Sequence, residues 1–167
     1  MAALATLGVV TGAFVALFWL TPLGVAPLRR RGGGVLPPDL RFGYRADEVH
    51  RLMTAYGAAG LAHWRRMLLI DMLFPCVYGS FIALLGARWA DWTAAGPLWR
   101  EAGAACLVLA VACDYGENVL LLGVIKAFPV ERPNSVAAAS LATRGKFLFL
   151  WIALAFPLIH GFAARLA

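Results

Sequence analysis

A chain of 167 residues with 62% hydrophobic content, mean hydropathy +0.75 and only 14% charged residues is far more apolar than a soluble domain, where about half the residues are apolar. Four apolar stretches approach or exceed the roughly 20 residues that cross about 30 Å of hydrocarbon. They use most of the chain, which leaves no room for a soluble domain of ordinary size. The expected architecture is all-α: a four-transmembrane-helix bundle forming one membrane domain over residues 1–167, with a short cytoplasmic amphipathic helix between the first two spans.

The first stretch, about Leu4 to Leu28, lacks the basic start of a secretory signal peptide and exceeds its apolar region of about 7 to 15 residues, so it is expected to remain as the first transmembrane helix. Arg29-Arg30-Arg31-Gly32-Gly33-Gly34, Pro37-Pro38 and Gly43 follow, a run expected to form an exposed linker without regular helix. From Asp47 the pattern changes. Val49, Leu52, Met53 and Tyr56 recur at i, i+3, i+4 and i+7, which predicts an amphipathic helix over about 47–56 with Asp47 and Glu48 suited to its N-terminus. Such a helix lies at the headgroup boundary or covers the inner end of the bundle.

The second span, about Met67 to Ala87, carries Pro75, expected to bend the helix about one turn after Asp71, and it sets Asp71 and Tyr78 two turns apart on one face. Trp89, Trp92 and Trp99 with Gly96-Pro97 suit an outer interfacial loop anchored by aromatic rings. The third span, about Ala102 to Ile125, holds Asp114, Glu117 and Asn118 on one face. After a short turn, Asn134 or Ser135 is placed to cap a fourth helix whose apolar core runs from about Phe147 to Phe162. Its stripe reads Thr143, Lys146, Leu150, Ala153, Pro157 and His160.

Twelve of the fifteen basic residues fall between the first and second spans or between the third and fourth. The positive-inside rule then places both termini outside a cell inner (plasma) membrane. The net charge of +6 reads as topology and attraction to anionic lipid headgroups; the bilayer is the expected partner, nucleic acid is not, and a homo-oligomer is left open. Cys76, Cys106 and Cys113 lie within spans and form no Cys-x-x-Cys pair, so they read as buried small hydrophobes.

A carboxylate near the middle of a membrane helix costs roughly 2.5 to 3.5 kcal/mol, while each Leu, Ile or Val returns only about 0.3 to 0.6. Orientation and helical rise bring Asp71, Tyr78, Asp114, Glu117, Asn118, Thr143 and Lys146 toward a candidate polar pocket in the cytoplasmic half of the bundle. Three readings follow. The pocket binds a lipid headgroup or a small cation; or Asp71, Asp114 and Glu117 act as acid, base or metal ligands in a small enzyme acting on a lipid-like substrate; or the charges form a structural clasp in which Lys146, with Arg144 or Arg66, neutralises carboxylates. Enzymatic activity is therefore open. No metal site is expected, because the spacing matches no ligand motif, and no cofactor is expected: the three His residues lie at unequal depths, and glycine-rich phosphate loops are absent.

In Asp71 with Phe74-Pro75 and Tyr78, Asp114 with Glu117-Asn118, and Thr143 with Lys146, the chain resembles small bacterial four-helix integral membrane proteins of no assigned activity. The resemblance implies the fold and carries over no catalytic role.

Overall fold

A computed structural model describes residues 2–93 and 95–166, with side chains of the last helix described to residue 155 and at Ile159. The described chain is all-helical: α1 (Ala2–Leu20), α2 (Val25–Arg31), a 3-10 turn (Pro38–Leu40), α3 (Ala46–Asp71), α4 (Phe74–Trp92), α5 (Pro97–Ala127) and α6 (Pro133–Leu166). Four units are long and apolar enough to cross a membrane, Ala2–Arg31, Ala46–Trp92, Pro97–Ala127 and Pro133–Ala155, so the chain is a multi-pass membrane bundle. Helices α5 and α6 form the central hairpin; α4 packs on α5, and α1 lies outermost against α4.

The first span is not one helix through Leu28. It stops at Leu20, turns over Thr21–Gly24 and restarts as α2. The turn requires a glycine at position 24, because a Cβ there would stand 1.9 Å from the carbonyl oxygen of Phe18. The expected exposed linker is also corrected. Arg29, Arg30 and Arg31 belong to α2, and Pro37, Pro38, Asp39 and Tyr44 are buried. The segment folds inward because, between its glycines and arginines, Leu36, Pro37, Pro38, Leu40 and Tyr44 are apolar enough to pack on α3 and α6.

The amphipathic helix is present with its stripe buried: Val49, Leu52, Met53 and Tyr56 pack with Leu121, Val124, Ile125 and Val136 over one end of the α5–α6 hairpin. Of the two placements expected, it covers the bundle end. The Glu48 carboxylate accepts the backbone N–H of Arg45 at 3.0 Å, closing the helix start. The helix does not end near residue 56. It kinks at Gly57 (φ 61°, ψ −177°), a backbone conformation that favours glycine, and continues to Asp71.

The second span is broken rather than bent. Its ring clash and missing N–H set Pro75 against the carbonyl four residues earlier, that of Asp71, where α3 ends; α4 starts at Phe74 with Pro75 in its first turn. Helix α6 begins at Pro133, so Asn134 and Ser135 lie inside its first turn instead of capping it. Close approach of α5 and α6 rests on Gly145, where a Cβ would meet Cys113 Sγ at 2.9 Å. The cysteines are less buried than expected: Cys76 is exposed and shares a hydrogen bond with the Tyr115 hydroxyl at 2.8 Å, and Cys106 and Cys113 are half-buried.

Candidate functional site

Helix α5 supplies the centre. Spacing of i, i+3 and i+4 puts Asp114, Glu117 and Asn118 on the face turned toward α6 and the α3–α4 break, where they are 4%, 0% and 0% exposed. From α6, Lys146 donates to Glu117 Oε2 at 2.6 Å and to Asp114 Oδ1 at 3.1 Å. The Tyr78 hydroxyl of α4 donates to Asp114 Oδ2 at 3.0 Å. The other Glu117 oxygen accepts from the Thr143 hydroxyl and, at 3.3 Å, from the Tyr44 hydroxyl. At the helix break, Asp71 Oδ2 accepts from Asn118 Nδ2 at 2.9 Å, while the fully buried Asn118 Oδ1 meets no donor among the described residues.

All seven residues singled out from the sequence are thus near one another, in two groups. Tyr78, Asp114, Glu117, Thr143 and Lys146 form one continuous network, and Asp71 with Asn118 form a pair beside it. Arg66 and Arg144 stay outside. Both are exposed and neither pairs with a carboxylate among the described residues. His160 and Pro157, the outer members of the α6 stripe, have side chains outside the described residues.

Sequence reasoning missed the contribution of the inward-folded segment. Tyr44 reaches Glu117 by its hydroxyl and anchors its own backbone N–H on Ser140 Oγ at 3.0 Å. Asp39 accepts the Trp64 indole N–H at 3.0 Å, and its backbone carbonyl stands 3.5 Å from Lys146 Nζ. Burial pushes the Asp39 carboxyl above the usual carboxylate range, against the opposing pull of the Trp64 hydrogen bond and the Lys146 charge. Burial, with the Glu117 charge, likewise pushes the Tyr44 hydroxyl up. The available signal was an aspartate and a tyrosine set among apolar residues in an otherwise basic connection.

The network has a closed side and an open side. Glu117 and Thr143 are sealed, whereas Asp39, Asp71, Tyr78, Asp114 and Lys146 line a cavity of about 270 Å³. The rest of its wall is apolar and comes from α1, α2, the 3-10 turn, α3, α4 and α6, including exposed Val15 and Trp19, so the cavity is continuous with the outer surface of the bundle. No family model, curated protein or solved structure matches the chain. A larger cavity of about 380 Å³ lies between α4 and α5 among Gly86, Ala90, Trp99 and Gly103. Its one charged lining residue, Arg100, is committed to Asp91 at 2.8 Å, so the convergent polar groups belong to the smaller cavity.

Proposed function

We propose that this protein is a multi-pass inner-membrane protein that binds the polar head of an amphiphile, a lipid headgroup or a small cation, in the cavity beside α1. The observation that carries this reading is the cavity itself, in which carboxylates, a phenol and an ammonium form the floor and hydrocarbon forms the walls. A site of this composition accepts a polar head while the attached chain stays among apolar side chains and lipid. The charge asymmetry of the connections supports a cytoplasmic location for the end where α2, the inward-folded segment and the α5–α6 turn gather, with both termini outside.

The ion pairs of Lys146 favour a structural role for the closed side. Glu117, Thr143 and Tyr44 have their hydrogen-bonding capacity met inside the protein, and they read as a clasp holding α5, α6 and the inward-folded segment together. Asp71 and Asp39 are left for the ligand.

Native mass spectrometry of protein purified in mild detergent tests the reading. An amphiphile is expected on the wild type and much less of it on Leu150→Trp, whose added ring occupies cavity volume. A wild type free of any amphiphile, or equal loading of the two proteins, refutes it.

A further inference from the structure

We propose that the ligand of this cavity is an amphiphile with an organic ammonium head, bound by Asp71 and Asp39; the inference rests on the cavity being a binding site. Charge is the first argument. Lys146 is engaged by Asp114 and Glu117, at 3.1 and 2.6 Å, and its one positive charge is spent there. Asp71 and Asp39 form no ion pair among the described residues. Each is held by a single neutral donor from another residue, Asn118 Nδ2 at 2.9 Å and Trp64 Nε1 at 3.0 Å, although Asp39 is only 5% exposed. One ammonium thus stands among four carboxylates and is ion-paired with only two of them, so Asp71 and Asp39 lie at a cost in a largely apolar wall without an ion pair of their own, and a cation entering the cavity offsets that cost.

The remaining wall selects among cations. Phe18, Phe74, Tyr78 and Phe147 line the same space. Phe74 packs edge-on against Tyr78 at 5.2 Å and against Phe18 at 6.4 Å, so the rings form a continuous surface. A separate ring of the same wall, Phe147, already faces one cation, with Lys146 Nζ 5.4 Å from its centroid. Ring faces combined with carboxylates suit alkylated ammonium groups, which are weakly hydrated and attracted by the ring quadrupole. A magnesium ion keeps several of its waters, and an apolar, ring-lined wall offers those waters few hydrogen-bond acceptors; no group of three or more metal-ligating side chains converges among the described residues. A phosphate head would meet Asp71 and Asp39 with no free cation to receive it.

Size points the same way. At about 270 Å³ the cavity is smaller than most pockets that enclose a whole ligand, and it takes a head whose chain remains outside.

The test uses the full chain in neutral-detergent micelles and three probes with the same tail: tetradecyltrimethylammonium, tetradecanol and tetradecyl phosphate. Occupancy is read by native mass spectrometry across a titration. The ammonium is expected to bind at least about tenfold more tightly than the alcohol, the effect of about 1.4 kcal/mol, and the phosphate more weakly than either. Asp71→Asn should lower the ammonium-to-alcohol ratio severalfold, and Asp71→Asn combined with Asp39→Asn should bring it close to one. Equal binding of the three probes overturns the ammonium assignment and leaves an amphiphile site standing, whereas no saturable binding of any probe overturns both. Displacement of the ammonium by millimolar magnesium chloride, but not by sodium chloride of matched ionic strength, would assign the site to a metal ion and also overturn the proposal. The wild-type series decides the matter even where Asp71→Asn does not fold.

Discussion

Replacing Lys146 with methionine removes the one ammonium that faces Glu117 and Asp114 and leaves a similar volume of side chain. Glu117 is wholly enclosed and sealed from the cavity, so water cannot take the place of its lost partner, whereas Asp114 borders the cavity. Breaking a buried pair by removing one member costs about 3 to 5 kcal/mol. Here the loss should fall toward the lower figure, because Glu117 keeps the Thr143 and Tyr44 hydroxyls and Asp114 keeps the Tyr78 hydroxyl. Adding Glu117→Gln takes away one stranded charge and should restore at least about 1 kcal/mol, the lower range of coupling between contacting groups. Denaturant titration in detergent of the wild type, the two single variants and the double variant gives the coupling energy directly. Additivity within about 0.5 kcal/mol would show that Lys146 and Glu117 do not sense each other and would dissolve the clasp.

In intact cells, a membrane-impermeant thiol reagent acting on a protein without its three native cysteines should label Ala95→Cys and spare Gly33→Cys; the opposite pattern reverses the proposed orientation. Gly24→Ala drives a Cβ against the Phe18 carbonyl and should destabilise near the top of the usual range of about 0.5 to 3 kcal/mol, measured as a lowered unfolding midpoint; an unchanged midpoint would mean that the α1–α2 turn is not as tight as described. For Asp39 the folded state holds its proton more tightly than the unfolded chain, so its contribution to stability falls as pH rises above the ordinary value of 3.8. Asp39→Asn removes that dependence, and its stability relative to wild type should grow from pH 4 to pH 8; a constant difference across that range would refute the burial argument.

The membrane class, the four apolar units and the positions of the intramembrane polar residues were legible in the sequence, because each is set by local quantities: hydropathy over about 20 residues and side-chain spacing at 3.6 per turn. The Val49, Leu52, Met53 and Tyr56 stripe was legible for the same reason, as was the shared face of Asp114, Glu117 and Asn118. Of the two breaks within the apolar units, the one after Asp71 was legible as a bend at Pro75, but the one after Leu20 was not, since it depends on the close approach of Gly24 to the Phe18 carbonyl, which hydropathy does not register. The partners of the charges were decided only by the fold. A connection rich in glycine, proline and arginine has the composition of an exposed linker, and only its packing against α3 and α6 carries Asp39 to Trp64 and Tyr44 to Glu117 across separations of 25 and 73 residues. Lys146 stands within reach of several carboxylates by depth alone. That it is consumed by Asp114 and Glu117, leaving Asp71 and Asp39 on the cavity wall, depends on differences of a few ångströms between helices, and those are fixed by interhelical packing.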